Sequence, residues 1–300
     1  MSNHAAKAQI HDLGYRRYEG ERRPQSARWR VLVRNVLSTS WRGWWNMKVW
    51  VIGAAVTITV MAVLMYVMRN EFWENLTRFD AKVPRADGML PRSFWFLSKF
   101  AFILTMTVCA QIIAKDLKTG AFEFYFSRPL RPIDYVLGKV VGAVIVIGLV
   151  LFVGPVLLSL FRLAIAKNSS QLSSLIWLVP KTVAAATIAT LAYAVIPLAF
   201  SAMSSNRRYA IAAWAVFHLV ISNIAVGIAA NPKLNISALG AVNMTDSVLT
   251  VIYRIFDMHR TEGYSPPLWS AVTMLCVYFS AGFGIVYWRV SKAQRSGMGG

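Results

Sequence analysis

Apolar stretches of bilayer-crossing length alternate along this chain with short charged segments. A helix needs about 20 predominantly apolar residues to cover a hydrocarbon core of about 30 Å. Residues 47–68, 94–114, 138–161, 175–203, 210–230 and 268–288 each reach that length. Hydrocarbon offers the backbone no hydrogen-bond partners, so runs of this kind are helical. The pattern predicts an all-α polytopic membrane protein with a six-span domain over 46–289. A polar arm (1–25) and an amphipathic helix (26–45) precede that domain, and a short tail (290–300) follows it.

Before the first span, Trp29, Leu32, Val33, Val36, Leu37, Trp41 and Trp44 recur at helical spacing, with Arg30, Arg34, Ser38 and Arg42 opposite. Ser26 is positioned as the N-cap. A Trp face backed by an Arg face predicts a helix lying in the membrane interface, anchored by Trp29, Arg30, Arg34, Trp41 and Trp44. The arm ahead of it lacks the apolar core of a secretory signal.

Between spans, 69–93 reads as a polar loop with Pro84, Gly88 and Pro91. The 231–267 segment is partly apolar but interrupted by Asn243, Asp246 and Arg254. It predicts short helices resting at the outer membrane surface or re-entering it slightly, not a seventh span. Pro155, Pro180 and Pro197 predict bends, because proline removes a backbone donor.

Hydrophobic residues make up 56% of the chain and charged ones 15%, which leaves no room for a second sizeable globular domain. The formal charge of +19 does not point to nucleic acid, because the cations flank the spans. There they set topology and touch anionic lipid. Of the 32 Lys and Arg, 20 fall in the N-terminal part up to Lys48, in 115–139, in 204–209 and in the C-terminal end from Arg289. The bias predicts that both termini are cytoplasmic. Lys99, Lys139, Arg162 and Lys181 sit a turn or two inside the spans. Snorkelling to the interface is the expectation for them, with an aqueous path for an anionic substrate as the alternative. Cys109 and Cys276 read as small apolar residues, and no Cys/His cluster suggests a metal site.

The segment 115–139, KDLKTGAFEFYFSRPLRPIDYVLGK, joins the second and third spans. Residues 119–127 predict a short helix whose Phe122 and Phe126 supply apolar surface, and Pro129 and Pro132 end it. Exposed aromatics rimmed by Lys115, Lys118, Arg128 and Arg131 mark a protein-docking surface.

Asp116, Gly120, Glu123, Arg128, Pro129, Tyr135, Gly138 and Lys139 follow one another in an order that resembles the membrane permeases of ABC type 2 exporters. The amphipathic helix before the first span is similar to that family's elbow helix. The resemblance implies that 115–139 carries a coupling helix. Asp116, Gly120, Phe122, Glu123, Phe126, Arg128, Pro129, Arg131, Tyr135, Gly138 and Lys139 would meet a separate ABC ATPase subunit there. It further implies a second permease copy or paralogue, ATP and Mg in the ATPase alone, and a bacterial plasma (inner) membrane. The chain has no Gly-x-x-x-x-Gly-Lys-Ser/Thr phosphate loop, so it is not expected to hydrolyse ATP or to be an enzyme by itself.

Two other classes compete. A secondary transporter or channel usually places ionisable groups near mid-membrane, and the candidates here are His218, Asn223 and Arg162. An intramembrane enzyme needs a convergent set of reactive groups, and His218 stands alone in its span.

Overall fold

The computed structural model describes residues 28–70, 86–126, 130–260 and 263–297. The arm, Ser26, Arg128 and Pro129 lie outside them. Among the described residues, six helices are long and apolar enough to cross a membrane: Val49–Val67, Ala86–Lys118, Pro132–Ala164, Ser169–Met203, Arg207–Ala229 and Leu268–Arg295. The chain is a multi-pass helical protein, and every predicted span has its counterpart. Most are longer than predicted. The second begins at Ala86, not at 94, because Pro91 falls in its first turns, where a missing N–H costs nothing.

The fourth span is central: 67% of its apolar window is buried, against 17% for the first and the fifth. Those two keep broad apolar faces, including Val56, Val60, Leu219 and Ile224, turned away from the protein. Such faces fit lipid or another helix. The third span breaks at Phe152, three residues before Pro155, as loss of the proline N–H predicts. The fourth span is likewise interrupted at Ile176 and Trp177, just before Pro180, which sits in the first turn of Leu178–Met203.

Outside the spans the described residues also form α1 (Trp29–Arg42), α2 (Ala121–Phe126) and α3 (Met244–Ile255), the last preceded by a 3-10 helix, Ser237–Val242. Helix α1 buries Leu32, Val33 and Val36 against the third span and exposes Arg30 and Arg34. Its apolar stripe therefore packs on protein, whereas Trp41 and Trp45 remain exposed. Helix α3 does not rest on a surface. Met244, Val248, Leu249 and Ile252 are buried among the second, fourth and sixth spans. Asn243 caps it by accepting from the Asp246 amide at 3.1 Å.

Candidate functional site

The two ends of the 115–139 segment, described over 115–126 and 130–139, are locked together. Oδ2 of Asp116 accepts from the Tyr135 hydroxyl at 2.7 Å and lies 2.7 Å from Nζ of Lys139. Lys139 is buried, not snorkelled, and its ammonium also stands 5.4 Å from the Tyr135 ring centroid. One carboxylate thus holds the third span's first two turns to the end of the second. An ion pair removed from water stays favourable only when its geometry is good and further hydrogen bonds satisfy it. Here the tyrosine supplies the second bond.

Gly120 turns the chain between the second span and α2 with φ +66, a left-handed conformation that favours glycine. At the far side Pro132 opens the third span, and the Arg131 amide donates to Oδ2 of Asp134 at 3.3 Å. The turn chemistry of both ends is written in the sequence.

Within α2 the aromatics divide. Phe122 is 6% exposed, with its ring 5.0 Å from that of Tyr135. Phe124 is 61% exposed beside exposed Glu123. Phe122, expected to be exposed, instead fastens the helix from beneath, and Phe124 is the exposed ring; the Phe126 side chain lies outside those described. Alternation of aromatics in AFEFYF gives both sides of a six-residue helix an apolar reading, which conceals this split. Tyr125 is half-buried, its ring 5.7 Å from Tyr135; burial, and then the Asp116 carboxylate, raises its phenol above the usual range. Helix α2 also packs against the sixth span. Lys115, Lys118 and Arg131 are exposed around it.

Gly138 is buried against α1. A Cβ there would lie 2.6 Å from Cβ of Leu32 and 2.9 Å from the Trp29 carbonyl oxygen. Only glycine lets α1 sit this close to the third span. Position 142 repeats the device, with a Cβ falling 2.8 Å from Cβ of Val36. The 115–139 segment and α1 are therefore one packed unit, and between them lies a polar cavity of about 410 Å³ reached by Asn35, Gln111, Lys115 and Arg207.

Side-chain bonds tie this unit to the bundle. Ser201 Oγ of the fourth span accepts from the amides of Ile113 and Ala114, each at 3.0 Å. Trp214 of the fifth donates to Thr105 Oγ1 at 2.8 Å. Thr105 opens a π-helical turn, Thr105–Cys109. Neither contact is readable in sequence, since each joins residues 87 or more positions apart. No group of three or more His, Cys, Asp or Glu side chains placed to hold a metal occurs among the described residues.

The fold and this segment define the class: a six-span helical membrane protein with a braced helical knob at one end. No protein-family model matches the chain, and no curated protein matches it.

Proposed function

We propose that this chain is the membrane-spanning permease subunit of an ATP-driven exporter, and that α2 is the knob through which a separate ATPase subunit drives it. The supporting observation is the Asp116–Tyr135–Lys139 lock. A displaced α2 cannot swing freely on its tethers; it carries the ends of the second and third spans with it. ATP bound between two ATPase subunits favours their closed state, and a ligand shifts an equilibrium only by its different affinity for the two states. The lock transmits that preference into the membrane. ATP and Mg act in the partner; this chain supplies the lever.

The charge bias supports a cytoplasmic position for α2 and both termini, and exposed Trp41 and Trp45 support a position of the end of α1 at the lipid interface. A second copy or a related permease would cover the apolar face of the first or fifth span.

The test is reconstitution. In liposomes with the ATPase that co-purifies with it, the wild-type chain should stimulate ATP hydrolysis. Phe124→Ala together with Glu123→Lys should weaken association about tenfold while leaving folding intact. Undiminished association, or solute movement driven by an ion gradient without nucleotide, would overturn the reading.

A further inference from the structure

Lys99, Lys139, Arg162 and Lys181 lie within the spans, and three of these cations are matched by carboxylates. Lys139 meets Asp116 at 2.7 Å, Arg162 meets Asp87 at 2.8 Å and Lys181 meets Asp257 at 2.5 Å. Lys99 has no carboxylate within ion-pair distance among the described residues. Its Nζ lies 4.8 Å from the Trp95 ring centroid, and the side chain is exposed. Lys99 is about 20 Å along the helix from Ala86, at 1.5 Å per residue. An ammonium that far inside a span costs at least about 2.5 kcal/mol. It calls for water or an anion.

Lys99 lines a cavity of about 330 Å³ between the second span, the fifth span and the start of α3. That is within the range of about 300–1,000 Å³ typical of small-molecule sites. Asp246 and Arg260, also on its wall, already pair with each other at 2.8 Å. The lining therefore carries two cations and one carboxylate. Phe102 and His218, stacked on each other at 4.2 Å with 15° between their planes, form one wall with Leu219 and Val226. His218 itself sits in a π-helical turn, Phe217–Ile221, and the other wall's span carries Thr105–Cys109. Such single turns occur frequently at functional sites.

We propose that this cavity binds a singly acidic amphiphile, its acid group on Lys99 and its apolar chain along the Phe102–His218 wall. The acid group supplies the counter-charge that Lys99 lacks at ion-pair distance, and Phe102, Leu219 and Val226 on the cavity wall remove the chain from water. The site lies apart from α2, and the inference goes beyond the ATPase-coupling reading without depending on it.

The test uses the full chain in neutral maltoside micelles at pH 8, with decanoate as probe and decanol as its uncharged analogue. Ligand binding to the folded state raises the unfolding temperature, more so as ligand concentration exceeds Kd. Decanoate should raise it in the wild type, in Lys99→Arg and in Lys233→Met, an exposed lysine elsewhere. The shift should vanish in Lys99→Met, and decanol should give none. An equal shift with decanol, or one that survives Lys99→Met, would overturn the site. Should Lys99→Met misfold, a diazirine-bearing decanoate on the unmodified chain decides independently. Label on 95–102 or 218–226 supports the proposal, and label only elsewhere defeats it.

Discussion

Lys139 and Asp116 face each other at 2.7 Å across the neck of the 115–139 segment, and the same carboxylate oxygen takes the Tyr135 hydroxyl. Both charged side chains are nearly removed from water, with 3% and 12% exposed. Removing one partner of such a pair strands the other charge and costs about 3–5 kcal/mol. Asp116→Asn and Lys139→Met should each lower the unfolding temperature strongly. The double variant should lose less than the sum of the two, because neither charge is then left alone. Thermal unfolding of the four proteins in one detergent measures the coupling; simple additivity would show that the pair is not a unit.

Close packing of α1 makes a sharper demand at Gly138. A methyl group there meets Cβ of Leu32 and a backbone oxygen, neither of which is the end of a flexible side chain. Gly138→Ala should cost about 1–3 kcal/mol by overpacking and push α1 off the third span. A disulfide cross-link between cysteines placed in α1 and the third span should form in the parent and fail in the variant. Gly88→Ala, where an added Cβ meets nothing within 4 Å, is the matched control.

The two aromatics of α2 separate stability from docking. Phe122→Ala removes a buried ring from Tyr135 and should destabilise by about 3 kcal/mol. Phe124→Ala removes an exposed ring and should stay within about 0.5 kcal/mol of the parent. Unfolding midpoints of the two variants check this without any partner present.

How much of this architecture is legible in the sequence depends on whether the determinant is local. The six spans are readable because bilayer thickness fixes a minimum apolar length, and the Pro155 break because it acts on its own helix. Lys139, Arg162 and Lys181 read as snorkelling side chains, since a linear pattern cannot show that Asp116, Asp87 and Asp257 stand opposite them. The 231–267 segment carries charges that argue against burial. Yet Asp246 is matched by Arg260, so α3 enters the bundle with its pair already formed. Gly138 stands out only as a motif letter; its physical reason, contact with Leu32, belongs to tertiary packing.

Two carboxylates near α3 should respond to acid in opposite senses. Burial raises the Asp246 pKa above its ordinary value of 3.8, outweighing the Arg260 contacts that lower it. Its contribution to stability is then complete below 3.8 and is lost as pH rises through the folded-state value. Asp257 is exposed, and its hydrogen bond and charge interaction with Lys181 lower its pKa below 3.8. Its contribution is present above 3.8 and is lost as pH falls through the lowered value. Unfolding profiles from pH 3 upward should show wild type losing ground to Asp246→Asn as pH rises. Asp257→Asn should gain ground on wild type over the lowest part of that range, where the wild-type pair is being lost. Parallel profiles would contradict both signs.

Sidedness of α2 decides whether an ATPase can reach it at all. Glu123 is exposed on the same helix as Phe124, so a cysteine there should react with a polar maleimide without disturbing the Asp116–Lys139 lock. Cys109 is buried and contributes no background; Cys276 is exposed on the sixth span and should first be replaced by Ala. With the charge bias orienting the chain, Glu123→Cys should stay unlabelled in intact cells and react fully in inverted membrane vesicles. Asn235→Cys, in the segment between the fifth and sixth spans, should show the reverse. These segments lie at opposite ends of the six-span bundle, so the two labels must exchange together. Label at Glu123→Cys from outside intact cells would put the knob beyond reach of any ATP-driven partner, while leaving the Lys99 cavity unaffected.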